Sequence, residues 1–251
     1  MKTKLEKKVV LVTGASKGIG AGIAKEMGKA GAQVIVNYAT SKKDADAVVQ
    51  DIMQTGGNAI AIQGDISKQS EVQHLFEETI KAFGKVDVVV NNAGSYEFAL
   101  LEAVTEASFK RTFELNVFGI LLTSKEALRL FGPDGGSIIN ISSFAGTRPE
   151  PYSVVYAASK GAVDSITYAL SQELGPKNIR VNSIRPGGVM TEGVAKLGFE
   201  EDSAAFKAIV ERSALGRMAK PSDIGAMAVF LASDEAKIIT GQTIEVSGGF
   251  K

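Results

Sequence analysis

The stretch Val9-Val10-Leu11-Val12-Thr13-Gly14-Ala15-Ser16-Lys17-Gly18-Ile19-Gly20 decides the fold. Its first four residues are apolar at successive positions, the mark of a strand covered on both faces, as in a parallel sheet flanked by crossover helices. The glycine-rich turn that follows opens directly into a segment of helical period, residues 18–30. Glycine lets backbone approach an anion, and the free N–H groups and positive dipole end of the helix stabilise it, so the turn suits a pyrophosphate. Its G-x-x-x-G-x-G spacing differs from the G-x-G-x-x-G fingerprint, and glycine before a helix also serves packing alone. The same residues satisfy a rival template: Gly14-Ala15-Ser16-Lys17-Gly18 reads G-x-S-x-G, a hydrolase nucleophile elbow with Ser16 as nucleophile. That chemistry needs a histidine, and the only one, His74, lies in the middle of a predicted helix.

Outward from this unit, strand and helix alternate. Residues 8–13, 33–38, 59–63, 86–91, 137–142, 180–184 and 243–246 read as strands, and 18–30, 43–54, 69–83, 105–131, 152–174 and 221–232 as helices. Gly31, Gly56, Gly84 and Gly175 stand just past helix ends, the expected stop. The pattern predicts an α/β fold, doubly wound and Rossmann-like, with a seven-stranded parallel sheet flanked by helices on both faces. No linker, repeat or low-complexity tract divides the chain, so residues 1–251 are expected to form a single domain. Residues 190–215, with Phe199, Phe206 and the acidic Glu200-Glu201-Asp202, fit the alternation least and suggest an irregular insertion that covers substrate.

Composition removes several function classes. Of 251 residues, 45% are hydrophobic and 22% charged, enough apolar content for a sizeable core. The 28 basic and 28 acidic residues cancel, leaving no basic field for nucleic acid or anionic lipid. The absence of cysteine excludes disulfides, thiolate metal sites and cysteine nucleophiles, and no metal site is expected. No apolar run is long enough for a signal peptide or a membrane helix, so a cytoplasmic protein is expected.

Tyr156 and Lys160 are four residues apart in a predicted helix and share one face. A phenol titrates near ~10, and an adjacent ammonium stabilises its phenolate, bringing it towards the range useful for proton transfer. The pairing alone is common, and Tyr38 with Lys42 supplies a second example at a strand end. Position distinguishes the first: Ser142 and Ser143 end the fifth strand, where open α/β sheets bind ligands, and Tyr156 opens the next helix. A serine hydroxyl, a phenol and an ammonium can gather there without metal or histidine.

With these motifs together the chain closely resembles the short-chain dehydrogenase/reductase family over essentially its whole length. Thr13 to Gly20 looks like the family's T-G-x-x-x-G-x-G coenzyme turn, bringing Gly14, Ser16, Lys17, Gly18, Ile19 and Gly20 to the cofactor. Asp65, with Ile66, resembles its acidic position after the third strand, and Asn91-Asn92-Ala93-Gly94 its N-N-A-G, in which Asn92, Ala93 and Gly94 line the cofactor and Asn91 is structural. Asn116, Ser143, Tyr156 and Lys160 match the catalytic tetrad, the family's serine-to-tyrosine spacing selecting Ser143 over Ser142. Pro186, Gly187, Val189 and Thr191 fall on its P-G-x-x-x-T segment beside the nicotinamide. The resemblance implies reversible hydride transfer between nicotinamide and a carbonyl carbon. Tyr156 would be the general acid/base, Ser143 would bond the oxygen, Lys160 would hold the ribose and lower the tyrosine pKa, and Asn116 would support a water relay. It also implies a homotetramer.

The second strand ends Asn37-Tyr38-Ala39-Thr40-Ser41, with no acid until Asp44 to accept from a ribose 2′-hydroxyl. Lys17, Ser41, Lys42 and Lys43 can donate to a 2′-phosphate, so NADP(H) is favoured and NAD(H) remains possible. Ser95, Tyr96, Glu150, Tyr152 and Gly188 are the candidate substrate wall, of mixed character that suits a ketone with an apolar flank. Similar proteins include 3-oxoacyl-carrier-protein reductases, glucose dehydrogenases and carbonyl reductases. An acidic carrier protein needs a basic patch, and residues 128–137 offer only Arg129 beside Asp134, which favours a small carbonyl or alcohol substrate. Outside the family, the alternatives are a hydrolase at Ser16 and a noncatalytic NADP-binding sensor.

Overall fold

The computed structural model describes residues 3–195 and 203–251. Residues 196–202, which include Phe199 and the Glu200-Glu201-Asp202 cluster, lie outside the described residues. The strands are β1 (Val9–Val12), β2 (Gln33–Tyr38), β3 (Asn58–Gln63), β4 (Val88–Asn91), β5 (Gly136–Ile141), β6 (Ile179–Pro186) and β7 (Thr243–Val246). They form one parallel sheet in the order β3-β2-β1-β4-β5-β6-β7. The order reverses between β1 and β4, which opens a crevice at their carboxyl ends.

Burial explains why the central strands read as unbroken apolar runs. All four residues of β1 are fully buried, each contributing roughly 1.5–3 kcal/mol of apolar burial. Val10 and Val12 face one layer, with Ile23, Ala24 and Met27 of α1 (Gly18–Lys29) and Ile224 and Leu231 of α9 (Pro221–Ala232). Val9 and Leu11 face the other, with Leu75 and Phe76 of α3 (Gln69–Phe83) and Leu122 of α5 (Gly119–Leu130). Helix α2 is Lys42–Gln54.

The expected helix over 105–131 is two helices joined by a widened turn. Helix α4 (Glu106–Phe113) passes into a π-helical turn, Glu114–Phe118, before α5. Hydrophobic periodicity cannot show the one-residue expansion, whose effect is to aim Asn116 inward. Helix α6 (Val154–Leu174) begins two residues later than expected, because Tyr152 has a positive φ of 69° that no helix accommodates. The 190–215 segment is less irregular than its sequence suggests, carrying α7 (Glu192–Ala195) and α8 (Ala204–Arg212). Among the described residues no helix is long and apolar enough to cross a membrane.

A buried polar ladder fixes the layers beside the crevice. Thr123 donates to Asn91 (2.6 Å), Asn91 to Asn140 (2.9 Å) and Asn140 to Thr167 (2.9 Å), tying α5, β4, β5 and α6 together. Satisfied polar groups of this kind specify one packing arrangement.

Candidate active site

A cavity of about 610 Å³ runs along the carboxyl ends of the strands. At one end lies the glycine turn, where Gly14 and Gly18 adopt positive φ values of 60° and 58°. A side chain at Gly14 would drive into Ala93, 2.8 Å from its Cα, so the β1 and β4 loops meet only because this residue is glycine. Asn92 locks the same junction, donating to the carbonyls of Thr13 (2.9 Å) and Gly14 (3.1 Å). Lys17 gives α1 no side-chain cap, and the positive end of the helix borders the cavity.

Most residues assigned from sequence to the cofactor border this cavity: Gly14 and Ser16 to Gly20 of the turn, Asn37, Tyr38 and Ser41, Asp65 and Ile66, Asn92 to Gly94, and Pro186, Gly187, Val189 and Thr191. Three contacts refine that set. Asn37 spends its amide on structure, accepting from Gly14 N–H (3.2 Å) and donating to Gly64 O (3.0 Å). Burial raises the Asp65 carboxyl, but the Ser67 hydroxyl and N–H together with the Lys68 ammonium outweigh it and hold the group below its ordinary value. Lys42 turns away to pair with Asp46 at 2.7 Å and Lys43 is exposed outside the wall, leaving Lys17 and Ser41 at the cavity.

Ser143, Tyr156 and Lys160 all line the cavity. Ser143 follows β5, and Tyr156 and Lys160 lie on the first turns of α6. The 144–150 loop presses against that helix at Gly146, where a Cβ would come within 3.0 Å of the Lys160 carbonyl carbon. Lys160 donates from Nζ to the Ile141 carbonyl (2.8 Å) and lies 5.8 Å from the Tyr156 ring centroid. Burial pushes the Lys160 ammonium down to about 8, against the pull of Asp164. Burial also raises the Tyr156 phenol, with Tyr96 adding to the shift and the Ser143 hydroxyl opposing it.

Asn116 is fully buried behind the cavity rather than in its wall. It clamps the β4 loop, donating to Ser95 O (2.9 Å) and accepting from Ser95 N–H (2.8 Å), and also donates to Ser159 (3.0 Å). Of the expected substrate wall, Ser95, Tyr96, Glu150 and Gly188 line the cavity and Tyr152 does not. The Tyr152 carbonyl accepts from Ala99 N–H (2.8 Å), and with its left-handed backbone the residue is 59% exposed and borders a separate shallow groove with Glu97 and Ser108. Sequence reasoning missed Phe98, Leu115, Phe144, Ile209 and Met218, which also line the cavity. Phe98 sits four residues after Gly94 and was within reach of motif reading; Ile209 and Met218 carried no local signal. Rings of Tyr96, Phe98 and Tyr156 form a chain with centroid spacings of 6.2 and 6.1 Å. His74 borders a groove beside β3 with Glu78 and Lys81, away from Ser16, so no hydrolase triad is assembled.

A sheet reversal that holds a glycine-cradled helix N-terminus, next to a serine, a tyrosine and a lysine, defines an NAD(P)-dependent oxidoreductase. A family model described as enoyl-(acyl carrier protein) reductase matches residues 14–251, and the chain belongs to the short-chain dehydrogenase/reductase family. It is 49% identical to an uncharacterised oxidoreductase of Methylorubrum extorquens, over 99% of this chain and 100% of that one. It is 36% identical to versicolorin reductase 1 of Dothistroma septosporum, over 98% and 97% of the two chains. Among solved structures, the angucycline C-6 ketoreductase LanV with bound NADP superposes with a TM-score of 0.91 at 37% identity, covering 98% of this chain and 96% of that one.

Proposed function

We propose that this protein, as one domain spanning residues 1–251, reduces a ketone to a secondary alcohol with NADPH. The observation that carries the reading is the Tyr156 phenol, kept protonated by burial, lining with Ser143 and Lys160 the same cavity that the α1 N-terminus borders. The residues present fit the cofactor: a positive helix end whose N-cap residue, Lys17, supplies no side-chain cap and a turn with two left-handed glycines suit a diphosphate. Ser41 and Lys17 at the β2 end, where no acid stands, suit a 2′-phosphate. Binding of NADP by the related ketoreductase supports the same choice.

When bound, the nicotinamide supplies the hydride. Tyr156 donates its proton to the carbonyl oxygen, and the Ser143 hydroxyl donates a hydrogen bond that holds this oxygen in place. Lys160 holds the ribose hydroxyls and, as an ammonium, offsets the negative charge left on the phenol oxygen. Asn116 acts at one remove, keeping Ser95 and the cavity wall in register. Phe98, Ile209 and Met218 favour a ketone whose flank is apolar and ring-sized over an acyl chain on a carrier protein. Exposed Phe118 and Leu121 at α5 and Tyr168 on α6 support self-association through these helices, with a homotetramer as the expected form.

The test is NADPH oxidation with aryl ketones, β-keto esters and an acyl thioester, wild type against Tyr156→Phe. Ketone-dependent turnover that falls at least a hundredfold in the variant, with NADPH binding kept, is the expected result. NADPH binding without turnover on any ketone or alcohol instead identifies a noncatalytic sensor.

A further inference from the structure

Helix α7 is laid across the glycine turn. Thr191 packs on Gly18, where a Cβ would meet the Thr191 methyl at 3.6 Å, and the Thr191 hydroxyl accepts from Val194 N–H (3.2 Å). The next residue, Glu192, accepts a hydrogen bond at Oε2 from the Gly18 N–H, 3.2 Å away. Gly18 is the first residue of α1, so its N–H is one of the donors with no partner inside the helix. A carboxylate is a natural occupant of a helix N-terminus, and so is a phosphate. Glu192 therefore stands where the reading above places the cofactor's diphosphate, and the two anions cannot share this donor.

We propose that Glu192 is a negative determinant of cofactor affinity: its carboxylate occupies part of the diphosphate site and must leave when NADPH or NADP binds. The inference rests on the assignment of the α1 N-terminus to the diphosphate. Two consequences follow from the geometry. The carboxylate competes for the Gly18 donor and repels the diphosphate electrostatically, so it weakens binding and speeds release of the spent cofactor. Its displacement also frees α7 from the turn, and α7 carries Gly193 and Val194 of the cavity wall, with Gly193 close to the Tyr96 hydroxyl (3.0 Å from an added Cβ). Cofactor arrival and the position of this wall are thereby coupled through one side chain, as differential contacts require.

The experiment measures Kd for NADPH and for NADP, by calorimetry and by the fluorescence of bound NADPH, with no ketone present. Wild type is compared with Glu192→Gln, which keeps the shape and removes the charge, and with Glu192→Lys, which reverses it. Far-ultraviolet circular dichroism confirms the fold of each. Removing one repulsive charge at an exposed site beside the diphosphate is expected to tighten binding about fivefold for the Gln variant. The Lys variant should bind tighter still, with a steeper salt dependence. Equal affinities across the series, or weaker binding in Glu192→Gln, overturn the inference while leaving the reductase reading in place. Failure of wild type and variants alike to bind either nucleotide overturns both.

Discussion

Replacing Lys160 by methionine should stabilise the protein while abolishing its chemistry, and the size of the gain follows from burial. Lys160 is 5% exposed, and the pKa of its ammonium falls from 10.5 to about 8. At about 1.36 kcal/mol per unit, holding the charged form in the fold costs roughly 3 kcal/mol at neutral pH. Methionine has nearly the same length and no charge, but it leaves the Ile141 carbonyl without the 2.8 Å hydrogen bond from Nζ, a loss of roughly 1 kcal/mol. The net gain is about 2 kcal/mol, or about 4–8 °C in Tm for a chain of this size. The sign of the pH dependence is a sharper check. Between about 8 and 10.5 the unfolded chain keeps the Lys160 proton and the folded chain releases it, so wild-type stability rises with pH across this window. The methionine variant lacks that rise, and its advantage should shrink from pH 7 to pH 10. Thermal unfolding of both proteins without nucleotide, at pH 7, 8, 9 and 9.5, measures the difference directly. A variant no more stable than wild type at pH 7, or an advantage that stays flat across the series, refutes the burial argument.

The same group sets the pH profile of activity. The proposed mechanism needs the Lys160 ammonium, so kcat/KM for ketone reduction, which reports the free enzyme, should fall as pH rises through about 8, and a plateau extending past pH 9.5 would contradict that dependence. Placing an acid at the β2 end, as Ser41→Asp, should repel a 2′-phosphate and move the NADPH/NADH ratio of kcat/KM at least tenfold towards NADH; an unchanged ratio would show that the phosphate lies elsewhere. Arg212 ends α8, pairs with Glu150 at 2.6 Å, donates to Lys251 O at 3.0 Å and lies 4.4 Å from the Phe250 ring centroid. Arg212→Ala should loosen the Ile209 wall and raise KM for ketone by roughly tenfold with a smaller change in kcat; equal KM values would mean that α8 holds its place without this anchor.

The residues that sequence reading located best are those whose role depends on neighbours along the chain. The Gly14 to Gly20 turn, the β1 run and the four-residue spacing of Tyr156 and Lys160 were legible because strand, turn and helix periodicities are local. Tyr152 misled because its left-handed backbone, unusual for a tyrosine, sends the ring out of the cavity. The helix over 105–131 misled because a π-turn leaves the apolar pattern almost unchanged.

The sequence by itself determined the doubly wound sheet and the glycine turn at a helix N-terminus, because both follow from period and glycine placement, while the residues expected at the strand ends came from motif resemblance. Only the tertiary structure decided what those residues meet. Ile209 and Met218 reach the cavity from segments far along the chain from Tyr156, and Asn116 finds its partners in Ser95 and Ser159. Glu192 finds the first N–H of α1 across 174 residues of sequence. Contacts between distant segments, and the desolvation that moves Tyr156 and Lys160 in opposite directions, depend on packing in three dimensions, which no local pattern encodes.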